Sequence, residues 1–490
     1  MHLIVSQTLK KVKIMIRNTI IKLVGIVCIT LIYTACSLPV LVQKIANNSL
    51  PTSYNNSVDT ANTATTKRKD FFDDDNLTSL IDLALHNNQE LNITLQEIQI
   101  AQNEIKIRKG EYLPSVGLRT GVGVEKRPRF TNIGAMEANT QIKPGREMPE
   151  PLPDYMTGVF ATWEVDVWHK LRNAKKSAVN RYMASVEGKN FLITNLIAEI
   201  ANSYYELLVL DNQLAIVQQN IQLQSNALEI VKLQKEATRV TELAVRRFQA
   251  QVLNTQSMQY DIQQKITEAE NRINFLVGRF PQPIQRNKQK FENLMPRIIH
   301  AGLPVQLLSN RPDIRQAEIQ LAAAKLDVKV AKARFYPSLG ISAGVGLQAF
   351  NPSFLLKSES LLYSLAGDMV APLINRNAIK AMYLGANAQQ IQAVYNYERT
   401  ILNANIEVVN QLAKINNLEK SYELKSKEVE ALTQSIDISN SLFSSARADY
   451  MEVLMTQRDA LESRFDLVET KMQQMRAMIN IYRALGGGWN

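Results

Sequence analysis

Apolar residues recur every seven positions at Ile193, Ile200, Leu207, Leu214, Ile221 and Leu228, and again at Val394, Ile401, Val408, Ile415, Tyr422, Val429, Ile436 and Phe443. The two series match: Ile193 lies 208 residues before Ile401 and Leu228 lies 208 before Ile436. Half-heptad positions fill in with Leu196, Leu210, Val217 and Val231 in the first and Ala404, Leu418 and Leu432 in the second. A seven-residue period sustained this long predicts a helix that keeps one seam against neighbouring helices. No proline interrupts either stretch. At a rise of ~1.5 Å per residue, a helix from Lys170 to Lys235 is a rod on the order of 100 Å, too long for a globular core. A coiled-coil spacer is the plain alternative.

Elsewhere the period is two. Val116, Leu118, Val122 and Val124 alternate with Gly117, Arg119, Gly121, Gly123 and Glu125, and Val159, Ala161, Trp163, Val165 and Val167 alternate with Gly158, Thr162, Glu164 and Asp166. Leu339, Ile341, Ala343, Val345 and Leu347 do the same against Gly340, Ser342, Gly344, Gly346 and Gln348, and a fourth such run spans residues 360–372. The predicted strands are 115–125, 157–167, 338–350 and 360–372, with a long polar loop over 126–157. Asp73-Asp74-Asp75-Asn76 opens a helix that breaks at Asn87-Asn88 and stops at Pro114; Arg311-Pro312-Asp313 opens its counterpart, which runs to Arg334. Return helices follow each rod, from about Leu243 to a C-cap at Gly278, and from Leu454 through Leu461, Val468 and Met475 to Gly486. Each half therefore reads helix, strand, loop, strand, long helix, return helix, a duplication to be recognised before any fold is assigned. The predicted divisions are a signal peptide at 1–35, an N-terminal tether at 36–75, and two repeats at 76–300 and 301–490.

Charge and cysteines refine this picture. The formal net charge is +10, but Lys10, Lys11, Lys13, Arg17 and Lys22 account for five of it ahead of Cys36, with no acid among them. A basic region before the apolar run Leu23–Tyr33 is secretory logic, the run being too short to span a bilayer. Met15 offers an alternative start. Tyr33-Thr34-Ala35-Cys36 resembles a bacterial lipobox, with a tyrosine where that pattern has leucine, so Cys36 is the expected lipid attachment point. The Asn, Ser and Thr-rich stretch from Ser37 to Thr66 reads as an extended tether. Cys28 and Cys36 are the only cysteines, which leaves no disulfide framework. No basic patch is interleaved with aromatics, so nucleic acid is not an expected partner.

Strands of about ten residues with one apolar and one polar face have the length and dyad pattern of outer-membrane strands. Four strands cannot close a barrel, and an open edge in lipid leaves unpaired backbone groups, so several copies must complete the ring. The apolar face would meet lipid, and Arg119, Glu125, Glu164, Asp166 and Gln348 would face a wet lumen. The fold class expected is a mixed membrane β-barrel plus a long α-helical barrel.

The sequence resembles the TolC-like outer-membrane efflux family, in the lipoprotein branch that serves resistance-nodulation-division (RND) pumps. The residues that carry the resemblance are Arg311-Pro312-Asp313-Ile314-Arg315-Gln316-Ala317-Glu318, Phe335-Tyr336-Pro337-Ser338, Trp163-Glu164-Val165-Asp166-Val167-Trp168 and the closing Tyr482-Arg483-Ala484-Leu485-Gly486-Gly487-Gly488-Trp489. The resemblance implies a homotrimer with a twelve-stranded barrel, docking to a periplasmic adaptor (membrane fusion) protein and an inner-membrane RND-type pump, and passive export of drugs or other toxic compounds. It also implies a periplasmic gate at the helical turns, where Arg239 and Glu242 mark one turn and Arg447, Asp449 and Glu452 the other. Glu452 is similar to the first member of an acidic pair at that turn, and Met455 stands where the second would come. Helix capping by Glu242 and Asp449 is the plain reading of those carboxylates.

No catalytic constellation is visible: His2, His86, His169 and His300 are far apart, and Gly486-Gly487-Gly488 lacks the lysine of a phosphate loop. Met451, Met455, Met472, Met475 and Met478 could suggest copper but read more simply as packing residues. No cofactor is expected. The competing class is a periplasmic coiled-coil structural or adaptor protein, against which stand the strand pairs in both halves.

Overall fold

The computed structural model describes residues 38–54, 59–287, 299–373, 376–445 and 447–489. The signal-peptide reading, the alternative start at Met15 and the lipidation of Cys36 lie outside the described residues. The chain divides into two units. One holds described residues up to 45, 100–182 and 320–394; the other holds 46–99, 183–319 and 395–490.

The first unit is built on an antiparallel sheet. Its strands are β1 (Ser115–Glu125), β4 (Leu152–Val165), β5 (Ser338–Ala349) and β6 (Leu361–Val370), in the order β1-β4-β5-β6. The register pairs Arg119 with Gly158, Gly158 with Gly346, and Gly346 with Leu362. Directly paired residues share a face. The pairing therefore collects Val116, Leu118, Val159, Val345, Tyr363 and Leu365 on one side of all four strands, and the glycines, serines and charges on the other. Within the polar face Phe160 lies over a glycine: a Cβ on Gly344 would come within 2.6 Å of its ring. A Cβ on Gly346 would meet the Thr157 carbonyl oxygen at 2.5 Å, so β4 and β5 approach more closely there than any side chain allows.

Strand boundaries differ from expectation by one or two residues at the end of β5 and at both ends of β6, and most at β4. β4 begins at Leu152 and ends at Val165, because its ladder to β1 continues to the pair Glu125–Leu152. The segment expected as a polar loop contains a short helix, α3 (Asn132–Asn139), capped by the Thr131 hydroxyl, and a small hairpin of β2 (Gln141–Lys143) and β3 (Arg146–Glu147) turned at Gly145.

Helices leave the sheet at one end. α2 (Gln89–Tyr112) precedes β1, α4 (Lys170–Glu236) follows β4, α6 (Pro312–Ala333) precedes β5 and α7 (Asn377–Ser444) follows β6. Aromatic residues fasten these junctions: Trp163 donates its indole N–H to the Tyr112 carbonyl at 3.1 Å, and Trp168 donates to the Pro337 carbonyl at 2.7 Å while stacking on Tyr336. Residues 38–54 of the expected tether carry no helix or strand, short helical turns follow at Thr63–Thr65 and Arg68–Phe71, and its start is not loose. Leu38 and Leu41 lie against Ala331, Phe335 and Tyr383, and Asn387 donates to the Val42 carbonyl.

The second unit is helical. α1 (Asp75–Asn87) is capped by Asp74, which accepts from the Asn76 and Leu77 amides. The return helices are α5 (Glu242–Leu276) and α8 (Tyr450–Ala484), and both of their ends stand 208 residues apart; the C-terminal ends of α4 and α7 do the same, and their starts stand 207 apart. The core gathers Leu77, Ile81, Ile200, Tyr204, Leu207, Ile273, Met475, Ile479 and Tyr482 around Phe71 and Phe72, which sequence reading had left in the tether. Phe71 stacks on Tyr482 with centroids 4.0 Å apart. The buried Arg286 is held by Asp211 and Glu270, and the buried Arg311 by Asp313, Glu407 and the Ala484 carbonyl. Gly278 has a φ of +69° and sits against the Asn87 carbonyl, which explains the glycine at that helix end. Met472, Met475 and Met478 are core residues.

Candidate functional site

Two places in the chain carry the charges singled out from sequence: the polar face of the sheet and the two helical turns. On the sheet, Arg119, Glu125, Glu164 and Gln348 do share a face through the register. Asp154 and Asp368 join them, the first accepting from the Gln348 side-chain amide at 2.9 Å, the second paired across the strands with Gly340. Sequence reading missed Asp154 because β4 was started too late, and Asp368 although the alternation in β6 marks it. Glu125 reaches Arg127 in the following loop, and Glu164 takes a charge-assisted hydrogen bond from Lys170.

Asp166 departs from expectation. It lies beyond the end of β4 and is buried, accepting from the Leu171 and Arg172 amides and pairing with the Arg172 guanidinium at 3.2 Å. Its carboxylate serves the start of α4, where orphan amides need an acceptor, rather than the sheet face. That junction is tight: His169 takes a positive φ of 59°, and the helix starts at Lys170.

The opposite face of the sheet is apolar and open. Leu118, Val122, Tyr363 and Leu365 are each at least 75% exposed. Eleven residues at ~3.3 Å each, tilted by about 40°, span on the order of 28 Å, close to the hydrocarbon thickness of a bilayer. Among the described residues no helix is long and apolar enough to cross a membrane.

At the first turn, α4 ends at Glu236 and α5 begins at Glu242, with Thr238 at a φ of 59°. Glu242 accepts from Lys235 and pairs with Arg246 at 2.8 Å. The Lys235 hydrogen bond, reinforced by the charges of Lys235 and Arg246, holds the Glu242 carboxyl below the ordinary glutamate range. Arg239 is exposed and does not meet Glu242. At the second turn Arg447, Asp449 and Glu452 are exposed, and among the described residues none forms an ion pair. Asp449 occupies the N-cap position of α8 but its side chain makes no cap hydrogen bond, so the capping reading does not describe it. Apolar side chains join the two turns: Leu228, Val231, Val245 and Phe248 of the first hairpin enclose Val453, with Phe443, Tyr450 and Leu454 against them. Beside them lies a cavity of about 290 Å³, where the Gln457 side-chain oxygen is buried without a hydrogen-bond partner among the described residues.

A family model described as Outer membrane efflux protein matches residues 80–279 and 303–487. The chain belongs to the outer membrane efflux protein family. It is 28% identical over 413 residues to the pyoverdine export outer membrane protein OpmQ of Pseudomonas aeruginosa, a match covering 84% of this chain and 85% of that protein. It is 25% identical over 480 residues to the probable outer membrane lipoprotein SilC of Salmonella typhimurium, covering 98% of this chain and 99% of that one. Among solved structures, the open state of the Neisseria gonorrhoeae MtrE outer membrane channel superposes with a TM-score of 0.80 at 21% identity, covering 92% of this chain and 98% of that one. CusC superposes with a TM-score of 0.79 at 22% identity, covering 92% and 100%. The channel is thus the outer-membrane component of an efflux system, and its location is the outer membrane. MtrE and CusC are both described as channels.

Proposed function

We propose that three copies of the chain close one twelve-stranded barrel and one helical duct, forming the passive exit path of a tripartite efflux system. One observation carries this reading: the sheet order β1-β4-β5-β6 leaves the outer edges of β1 and β6 unpaired. In lipid those edges must be paired, and a closed ring is the only arrangement that pairs all of them. β1 and β6 run in opposite directions, so β6 of one copy beside β1 of the next continues the antiparallel pattern, and any number of copies gives an even strand count. The interface is head-to-tail and cyclic. In this reading residues 76–300 and 301–490 are the two repeats, Arg119, Glu125, Glu164 and Gln348 face the lumen, and the rods extend into the periplasm. Lipid on Cys36 adds an anchor, and the tether at 36–75 leads from it into the folded part.

The turns supply the gate. Arg239, Glu242, Arg447, Asp449 and Glu452 would each recur three times around the axis, and charged rings at a narrow end hold a duct shut until partners reorganise them. The unpaired state of Arg447 and Glu452 in a single chain supports their use between copies. A periplasmic adaptor and an inner-membrane RND-type pump are the partners; the pump sorts the load of drugs or other toxic compounds. Purified channel should migrate as a heat-sensitive oligomer and conduct in planar bilayers, and Arg447→Ala and Glu452→Ala should raise that conductance. A monomer in detergent that never inserts would sink the trimeric duct; conductance equal to wild type in both variants would sink the gate. Palmitate labelling that survives Cys36→Ser would remove the anchor.

A further inference from the structure

The four helical junctions at one end of the sheet concentrate positive charge. Residues 104–113, 164–176, 325–336 and 371–382 contain thirteen basic and five acidic residues, an excess of eight. From Cys36 onward the whole chain has an excess of only five. The rest of the protein is therefore slightly acidic, and the basic character belongs to this belt.

All five carboxylates of the belt are already engaged. Glu104 and Glu111 both pair with Arg108, Glu164 with Lys170, Asp166 with Arg172, and Asp327 with Arg181. The cations that remain have no carboxylate partner among the described residues. Lys325, Lys329 and Lys332 follow a spacing of four and three, which aligns them on one face of α6, and all three are exposed. Arg334 and Lys380 are also exposed, Arg334 donating to the Met382 sulfur. Arg376 lies over the Phe335 ring at 4.8 Å, and its Nε is buried with no hydrogen-bond partner. No such cluster shows along the sequence, but the fold brings Tyr112, Trp163, Trp168 and Tyr336 together with these cations at the strand ends.

Amphipathic aromatic rings at strand ends mark a bilayer–water interface. A rise of ~1.5 Å per residue places Lys332 about 9 Å and Lys329 about 14 Å from the start of β5, with Arg334 nearer still, on the scale of a headgroup layer, and long side chains reach further. We infer that this belt binds the phosphates of anionic phospholipids in the leaflet that meets the periplasmic end of the barrel. This rests on the proposal that the sheet spans the membrane. It adds that the surrounding ring selects lipid by charge, with guanidinium groups offering paired N–H donors to phosphate.

The test uses full-length channel reconstituted in an equimolar mixture of phosphatidylglycerol and phosphatidylcholine. Spin-labelled forms of each lipid report the fraction immobilised at the protein boundary. The wild type should hold phosphatidylglycerol several-fold more strongly, since a cation near an anionic surface is worth about fivefold. Salt should weaken the preference. Combining Lys329→Gln, Lys332→Gln, Arg334→Gln and Lys380→Gln should abolish it, with the heat-sensitive oligomer intact. A control combining Lys232→Gln, Lys265→Gln, Lys414→Gln and Lys420→Gln should keep it. Equal retention of both lipids by wild type would overturn the inference. So would a belt variant that retains the preference, or one whose only change is in ion conductance, which would turn the cations toward the lumen. Failure of the spanning reading would show separately, as absence of oligomer and conductance in phosphatidylcholine alone.

Discussion

The two helical hairpins are copies in length and offset, yet they are not equally finished within one chain. In α4 the seam stays covered almost to the turn: Ile200, Leu207, Val217, Leu228 and Val231 are closed off from solvent, and Ile193, Leu214 and Ile221 are partly buried between them. In α7 Val394, Ile401 and Val408 are buried, but Ile415, Tyr422, Val429 and Ile436 are only half covered. The turns differ likewise: Glu242 is paired on both sides, whereas Arg447 and Glu452 are not paired among the described residues. Identical periodicity thus covers the far end of one hairpin inside the chain and leaves that of the other more open, for a neighbouring copy to complete in the proposed trimer. This is how a subunit divides its apolar surface between folding and assembly.

The largest effect should come from the finished seam. Leu207→Ala removes a fully buried side chain and should cost about 2–5 kcal/mol, lowering the melting temperature and the outer-membrane yield together. If Leu207→Ala and Ile415→Ala proved equally mild to protomer folding, the contrast would fail. Next comes the sheet. Gly346→Val forces a side chain against the Thr157 backbone and should cost about 1–3 kcal/mol, seen as loss of the heat-sensitive oligomer band on gels. The open seam gives a smaller and different signature. Ile415→Asp should leave helical circular dichroism of the protomer intact while lowering the temperature at which the oligomer dissociates.

The smallest effect is electrostatic. Glu242 has a lowered carboxyl pKa, so its contribution is complete above the ordinary glutamate value of about 4.3 and is lost as pH falls through the lowered value. Wild-type conductance should therefore rise only under strongly acidic conditions. Glu242→Gln should show the raised level at neutral pH and lose that acid response. Conductance of Glu242→Gln that still tracks acidification like wild type would assign the response to another group.

Much of this fold is legible in local pattern. The seven-residue series, the alternating strands, the break at Asn87-Asn88 and the stops at Gly278 and Gly486 all depend on neighbours within a few residues. The misreadings have a common cause in distant partners. β4 was started late because its first residues, Leu152–Met156, show no clean alternation and are held by pairing with β1. Asp166 fits the alternating pattern of its strand, yet its carboxylate is taken by amides of the next helix. Phe71 and Phe72 follow a polar stretch and look like part of a tether until Tyr482, more than 400 residues away, stacks on the first of them.

The sequence by itself therefore determined the periods: which segments are rods, which are strands, and that the plan occurs twice. Only the tertiary structure decided the register that unites four apolar faces on one side of a sheet, which carboxylates are already paired, and which cations and sheet edges remain open. The physical reason is range. A period is set by backbone geometry a few residues at a time, whereas register, ion pairing and edge closure are set by partners hundreds of residues away or in another copy of the chain.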